Sequence, residues 1–263
     1  MEARRRGLEW LARLGYAARG LVSLLVGLIA LLAAVNGGGE VAGSKGALQA
    51  IFTQPWGSAM LLVVALGLFG FALWRAMQSL ADADRRGTGW GALAARAGQL
   101  VSSVIYVSLG IFAVNLAIGA ASGGAEDQAA RDWTRWLLAQ PFGRWLVGAV
   151  GLAILGAGLG MGAKAFTASF RRHLACGPGA AEWVIPLGRA GYAARAVVFL
   201  IISAFLIIAA LQADPSEARG LGGALVALQA QPFGRTAFGL VALGLAAFGA
   251  FEFAEARYRR IAP

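Results

Sequence analysis

The chain has 263 residues, of which 59% are hydrophobic and 14% are charged, and its mean hydropathy is +0.67. This composition excludes an ordinary soluble domain and places the chain in a lipid bilayer. The net charge of +10 would suit a nucleic-acid partner, but basic residues at the cytoplasmic ends of membrane helices account for it, so we expect no nucleic acid.

Six apolar runs are long enough to cross the hydrocarbon core, which takes about 20 residues of helix. They lie near residues 15–35, 56–79, 97–120, 142–165, 190–211 and 233–254. Long runs without alternating polarity favour helices over barrel strands. We therefore expect an all-α integral membrane protein with six transmembrane helices. The first run is expected to be retained as a span rather than removed as a secretory signal.

Two short motifs divide the chain into three repeats. The Gly-Tyr-Ala-Ala-Arg opening at residues 15–19 recurs at 191–195, and a Gln-Pro-aromatic-Gly turn occurs three times. The turn residues are Gln54, Pro55, Trp56, Gly57, Gln140, Pro141, Phe142, Gly143, Gln231, Pro232, Phe233 and Gly234. Alignment gives repeats at approximately 11–80, 93–168 and 187–258, each a hairpin of two spans, within a single membrane domain over residues 1–263.

The first span of each repeat carries a small residue at the same offset, Gly27, Gly110 or Ser203, which lets helix backbones approach closely. A short apolar stretch precedes each turn, and its length predicts an interfacial helix in the outer loop. The proline that follows suits the first position of the next spanning helix. After the fourth span, apolar residues at 166, 170 and 174 predict that this helix continues along the membrane surface.

Lys and Arg are distributed unevenly between the two sides of the predicted bundle. Seventeen of the 23 fall near the two termini, in the loops after the second and fourth helices, and at the adjoining helix ends. By the positive-inside rule, both termini are cytoplasmic and the three turns face outward. Repeats of two spans share one orientation, and such parallel repeats are related by an axis along the membrane normal. We therefore predict a pseudo-threefold axis.

The chain resembles a family of bacterial membrane proteins built from three tandem copies of a two-helix domain of unknown function. The resemblance rests on the Gly-Tyr-Ala-Ala-Arg openings, the Gly-Ala-Leu at 46–48 and 223–225, and the three turns. It covers nearly the whole chain and implies the repeat architecture without an activity or a cofactor. We expect a multi-pass protein of the bacterial cytoplasmic (inner) membrane.

Charged residues are rare within the predicted spans. Glu252 lies about 28 Å along the last helix from Phe233, at the inner edge of the hydrocarbon. Arg19 and Arg195 enter from the same side at comparable depth. An ion pair would tie the sixth helix either to the fifth or to the first, and a charged gate or ion site is the functional alternative.

The third helix is the most polar span, with Tyr106, Ser108 and Asn115. Because Ser108 and Asn115 are seven residues apart, they share a face. These residues would either line a cavity or form interhelical hydrogen bonds. In the fourth helix, four alternate glycines at 156–162 favour close helix packing over a nucleotide-binding loop.

A single histidine, a single cysteine and the lack of known catalytic patterns predict neither an enzyme nor a metal or cofactor site. Two classes of function stay open. The first, which we favour from sequence, is passage of an ion or small solute through the helix bundle. The second is a structural or assembly subunit that docks a membrane-protein partner or forms a homo-oligomer.

Overall fold

The computed structural model describes residues 2–36, 43–82, 87–121 and 126–259. Within these ranges the chain forms nine α-helices and two short 3₁₀ helices, Ser169–His173 and Pro215–Glu217. The α-helices are α1 (Glu2–Val35), α2 (Ser44–Phe52), α3 (Gly57–Leu80), α4 (Trp90–Ala117), α5 (Glu126–Leu138), α6 (Gly143–Thr167), α7 (Pro178–Gln212), α8 (Leu221–Gln229) and α9 (Gly234–Tyr258).

Six of these helices contain a stretch long and apolar enough to cross a membrane, namely α1, α3, α4, α6, α7 and α9. This confirms the six expected spans, and the short helices α2, α5 and α8 lie between the two spans of each repeat. The seventh helix begins at Pro178, well before the expected start near residue 190, and continues through Pro186. The chain is a multi-pass, all-helical membrane protein.

The three Gln-Pro-aromatic-Gly turns share one backbone geometry. Their aromatic residues are left-handed, with φ of 63° at Trp56, 62° at Phe142 and 59° at Phe233. In each turn the glycine N–H donates to the glutamine carbonyl three residues earlier, at 2.7–2.9 Å. A Cβ on Gly57 would lie 2.3 Å from the carbonyl oxygen of Phe52. Only glycine therefore fits where the short helix meets the spanning helix.

The prolines of these turns do not begin the spanning helices, contrary to the expectation from sequence. Pro55, Pro141 and Pro232 each lie two residues before the first helical glycine. The reversal between the two helices needs a left-handed residue between them, so the helix cannot start at the proline. The proline ring instead fixes its own φ at about −65°, which favours the turn that precedes the helix.

Three equivalent arginines cap helices of the neighbouring repeat. Arg13, Arg96 and Arg189 each donate to two of the last carbonyls of a spanning helix, where a cation also complements the helix dipole. The acceptors are Ala256 and Arg257 for Arg13, Ser79 and Leu80 for Arg96, and Ala165 and Phe166 for Arg189. The first of these contacts joins α1 to α9, so repeat three meets repeat one in the same way as the other repeats meet. This is the pseudo-threefold relation.

The small residues at equivalent positions also lie between repeats. A Cβ on Gly27 would lie 2.2 Å from the backbone nitrogen of Ala246 in α9. A Cβ on Gly110 would lie 2.8 Å from the ring of Phe69 in α3. Ser203, the third member, is buried. Close backbone approach therefore sets the spacing of α1 and α9, whereas the small residue at Gly110 makes room for the Phe69 ring.

The two spanning helices of a repeat pack together in repeats one and three, but not in repeat two. A Cβ on Gly15 would lie 2.6 Å from the backbone of Phe71, and one on Gly191 would lie 2.6 Å from that of Phe248. Among the described residues, no atom lies within 4 Å of a Cβ built on the equivalent Gly98. Consequently α4 and α6 are the least buried spans, at 22% and 17% against 39–61% for the others.

The short helices α2 and α8 pack onto the bundle. Leu48 of α2 and Leu225 of α8 are fully buried in the same apolar core as Phe238 of α9. Helix α5 is more amphipathic, since Thr134 is buried whereas Trp133 is exposed. The first and third short helices therefore close one end of the core.

The connection from α6 to α7 is not the surface helix expected from the apolar spacing. Helix α6 ends at Thr167, and Ala168 is left-handed with φ of 49°. The chain then turns inward, so Phe170 and Leu174 are buried, and the ring of Phe170 lies 5.0 Å from that of Phe251. Phe170 and Leu174 pack against α9, because contact with a protein core buries these side chains more fully than a membrane surface would, whereas Phe166 stays exposed.

Candidate functional site

Arginines and aromatic rings converge at the end of the bundle where α1 starts and α9 ends, which we call the inner end. The ring of Phe71 lies 5.1 Å from that of Tyr16 and 4.8 Å from that of Tyr106. The guanidinium carbons of Arg19 and Arg75 lie 4.9 and 5.0 Å from the centre of the Phe71 ring. We define the inner cluster as Tyr16, Arg19, Phe71, Trp74, Arg75, Tyr106, Arg195, Phe248, Glu252, Glu255 and Arg259. Ring faces attract these cations.

Glu252 is fully buried in the inner cluster and pairs with Arg19. The Nε atom of Arg19 lies 2.7 Å from the Oε1 atom of Glu252. Ser23, one turn further along α1, donates its hydroxyl to the other carboxylate oxygen at 2.8 Å. The pair joins α9 to α1, where repeat three meets repeat one. Of the two partners that the sequence offered, the one on the first helix makes the contact.

Arg195 lies within electrostatic range of Glu252, but its guanidinium carbon sits 4.6 Å from the centre of the Phe248 ring. In the described part of the chain, no carboxylate is within ion-pair distance of Arg195. The second carboxylate, Glu255, pairs with Arg259. The inner cluster thus contains four arginines and two glutamates.

Tyr106, Ser108 and Asn115 of the third span do not all lie on one face. Tyr106 belongs to the inner cluster, with its ring centre 5.6 Å from the guanidinium carbon of Arg19. Ser108 is exposed and donates to the carbonyl of Val104 in its own helix at 3.1 Å. Asn115 is half-buried two residues before the end of α4, so it lies near the outer end rather than deep in the span. These three residues do not form a continuous polar lane.

The glycines of α6 divide between two faces. A Cβ on Gly158 would contact Phe199 of α7 at 3.2 Å, and one on Gly162 would contact Ala196 at 3.8 Å. Gly156 and Gly160 are exposed, and no described atom lies within 4 Å of a Cβ on either. One of the two interleaved small-residue patterns therefore packs against a helix of the chain, and the other does not.

Sequence reasoning missed Arg75 as a member of the cluster. Arg75 follows Gly57 by the same number of residues as Glu252 follows Gly234, so the repeat places an arginine where repeat three has a glutamate. The alignment of the repeats could therefore have pointed to Arg75 as the equivalent of Glu252. It could not show that helices from repeats one and three share one cluster.

The inner cluster pairs its acidic groups and, within the described chain, leaves several donors over. Its two carboxylates are each paired with an arginine. Among the described residues, no group of three His, Cys, Asp or Glu side chains could hold a metal ion. What the cluster offers is positive charge, ring faces and N–H or O–H donors.

A comparison with known protein families matches the chain three times, at residues 14–82, 97–168 and 190–259. The matching family is described as Domain of Unknown Function (DUF1206). The chain belongs to this family. Its three DUF1206 copies follow the repeat layout of the fold, and the resemblance found from sequence is confirmed.

A curated relative of this DUF1206 chain is "Uncharacterized protein YxxB" of Bacillus subtilis (strain 168). It is 34% identical over 226 residues, which cover 85% of this chain and 81% of the relative. No solved structure matches the chain. The similarity supports the family and brings no activity with it.

Proposed function

We propose that this DUF1206 chain is a non-enzymatic assembly subunit of the bacterial cytoplasmic membrane, and that its second repeat docks a second copy of the chain. One observation carries this proposal. In repeats one and three the two spans cover each other, whereas no described residue covers the equivalent faces of α4 and α6 in repeat two.

The sequence of repeat two explains why these faces stay apart. In repeat one, a Cβ on Gly67 would lie 2.4 Å from the Cβ of Ala18, and in repeat three one on Gly244 would lie 2.5 Å from that of Ala194. The equivalent positions in repeat two hold Ala153 and Val101, which are both larger. The close crossing found in the other two repeats is therefore excluded by volume.

The two uncovered faces differ in shape, which favours a second copy as the occupant. Helix α4 exposes branched side chains, including Val101, Val104 and Ile105. Helix α6 exposes the small residues Gly156 and Gly160. The branched side chains of α4 form a ridge, and the glycines of α6 form a groove. In a twofold-symmetric dimer the ridge of each copy would pack into the groove of the other, so the surface is self-complementary.

The docking proposal predicts a dimer that one substitution dissociates. Gly160→Leu fills the groove of α6, so we expect the mass of the detergent-solubilised protein to fall from dimer to monomer while the variant stays folded. The matched control is Leu240→Trp, on the exposed face of α9, which should leave the dimer intact. Light scattering coupled to size-exclusion chromatography measures the mass of both variants.

A monomeric wild-type protein, or a dimer insensitive to Gly160→Leu, would remove the second-copy proposal. Retention of a different protein at stoichiometric amounts, lost in Gly160→Leu, would identify a heteromeric occupant instead. If the wild-type protein is a monomer and retains no other protein, then only lipid covers this face.

The orientation of the chain is proposed from the distribution of Lys and Arg, with both termini in the cytoplasm. Ser216 is exposed in a short 3₁₀ helix on the expected outer side. Its N–H donates to Asp214 at 2.8 Å, which lowers the pKa of the Asp214 carboxyl and holds the loop in place. The native Cys176 is removed by Cys176→Ser for this test.

In intact cells, Ser216→Cys should react with a membrane-impermeant maleimide. Thr88→Cys, in the exposed loop between α3 and α4, should react only after permeabilisation and serves as the inner control. Labelling in the opposite order would invert the proposed orientation.

Passage of an ion remains a second candidate because Arg19, Ser23 and Glu252 form a buried polar group within the spans. The close approach of Gly27 to Ala246 works against an open path between α1 and α9. Passage would appear as K⁺, Na⁺ or proton flux into liposomes that Glu252→Gln abolishes. Without such flux, the assembly role stands alone.

A further inference from the structure

Three buried or half-buried donors of the inner cluster have no hydrogen-bond acceptor. They are the hydroxyl of Tyr16, the indole Nε1 of Trp74 and the Nε of Arg75, and they make no hydrogen bond within the described part of the chain. Tyr16 is fully buried and Trp74 is 4% exposed. A buried donor without an acceptor costs about 1–3 kcal/mol, so all three point to a missing acceptor.

The same region carries surplus positive charge. Arg19 is paired with Glu252, and Arg259 is paired with Glu255. Arg75 and Arg195 have no carboxylate within ion-pair distance among the described residues, although Arg75 donates to the amide oxygen of Gln78 at 3.4 Å. Uncompensated charge within a membrane protein is costly, and an anion would relieve it.

The donors are close to one another. Tyr16, Phe71 and Trp74 belong to one buried cluster, and Arg75 lies over the Phe71 ring. Tyr16 is within electrostatic range of Arg75 and Arg259, whose guanidinium carbon is 5.0 Å from the Tyr16 ring. Side chains from α1, α3 and the residue after α9 thus come together at the inner end.

The depth of this place suits a phosphate group. Arg75 lies five residues before the end of α3, about 7.5 Å along the helix, and it is half-buried. The fork of an arginine matches phosphate oxygens. Basic sites between helices on the cytoplasmic side are a known way to bind anionic lipid headgroups.

We propose that the inner cluster binds a phosphate group beside Tyr16, Trp74 and Arg75. The phosphate belongs either to an anionic phospholipid or to free inorganic phosphate. The site is independent of the docking surface, since α4 and α6 contribute none of these donors.

Purified protein in a neutral detergent is tested with two probes, phosphatidylglycerol and inorganic phosphate. Each is expected to raise the thermal midpoint of the wild type by mass action. Arg75→Gln should weaken the response by about tenfold, as the loss of a charge-assisted hydrogen bond predicts. It should also raise the midpoint without either probe, because it removes an unbalanced charge. The matched control is Arg257→Gln, an exposed arginine at the inner end of α9, which should respond as the wild type does.

Native mass spectrometry separates the two sources. A phosphatidylglycerol retained by the wild type and by Arg257→Gln, but lost from Arg75→Gln, identifies a lipid headgroup. A response to inorganic phosphate with no retained lipid identifies a free anion. Equal responses of Arg75→Gln and Arg257→Gln, or no response of the wild type to either probe, would overturn the proposal. A monomeric protein that still binds phosphate would refute the docking surface and leave this site standing.

Discussion

Glu252→Gln is expected to destabilise the folded protein by about 3 kcal/mol or more, the usual cost of breaking a buried ion pair by removing one partner. The substitution leaves the Arg19 guanidinium in the interior without its counter-charge, and Arg195 nearby adds to the repulsion. The glutamine amide can still accept a hydrogen bond from Ser23, so the loss measures charge more than hydrogen bonding. Equilibrium unfolding in mixed micelles, followed by tryptophan fluorescence, measures the change.

A double-mutant cycle tests whether Arg19 is the specific partner. Arg19→Gln and Glu252→Gln together should cost less than the sum of the two single losses, by about 0.5–3 kcal/mol. The control cycle replaces Arg19→Gln with Arg195→Gln, which removes a guanidinium that does not contact the carboxylate. A larger coupling with Arg195 than with Arg19 would contradict the pairing seen between α9 and α1.

Gly27→Ala is expected to destabilise the bundle by about 1–3 kcal/mol, the typical cost of overpacking, even though alanine favours a helix by about 1 kcal/mol over glycine. The added methyl group would lie 2.2 Å from the backbone nitrogen of Ala246 and 2.6 Å from its Cα atom. Backbone atoms cannot move aside as a flexible side chain can, so α1 and α9 would have to separate. The same unfolding measurement applies.

Gly239→Ala provides the matched control in the same helix pair. A Cβ at residue 239 would lie 3.7 Å from that of Ala34, which is ordinary van der Waals contact. We expect this variant to be as stable as the wild type or slightly more stable. Equal losses at residues 27 and 239 would mean that helix propensity or lipid contact, rather than the close crossing, governs the effect.

The repeat architecture was predictable because it rests on local chemistry that recurs in the sequence. The Gln-Pro-aromatic-Gly turns need a glycine against backbone atoms and a left-handed residue before it. These backbone requirements are the same in every copy, so the same residue types recur at the three turns. Spans were predictable for a similar reason, since a helix must be apolar over its length to lie in lipid.

The contacts between helices were less predictable, because a residue's depth in a span does not fix the direction of its side chain relative to distant helices. Arg19 and Arg195 have equal offsets in their repeats, yet Glu252 contacts only the first. Ser108 and Asn115 do share a face of the third span, but that face is not the one against α3. There Ser103 donates to the carbonyl of Ala72 at 2.8 Å.

The sequence by itself determined six apolar helices in three repeats, because helix length, turn chemistry and hydropathy act over short stretches of chain. Only the tertiary structure decided that repeat two stays open and that four arginines meet two glutamates at the inner end. Val101 and Ala153 differ from the alanine and glycine of the sister repeats by only a few methyl groups. Those groups matter only where two helix backbones would otherwise approach within contact distance, and that approach depends on the packing of the whole bundle.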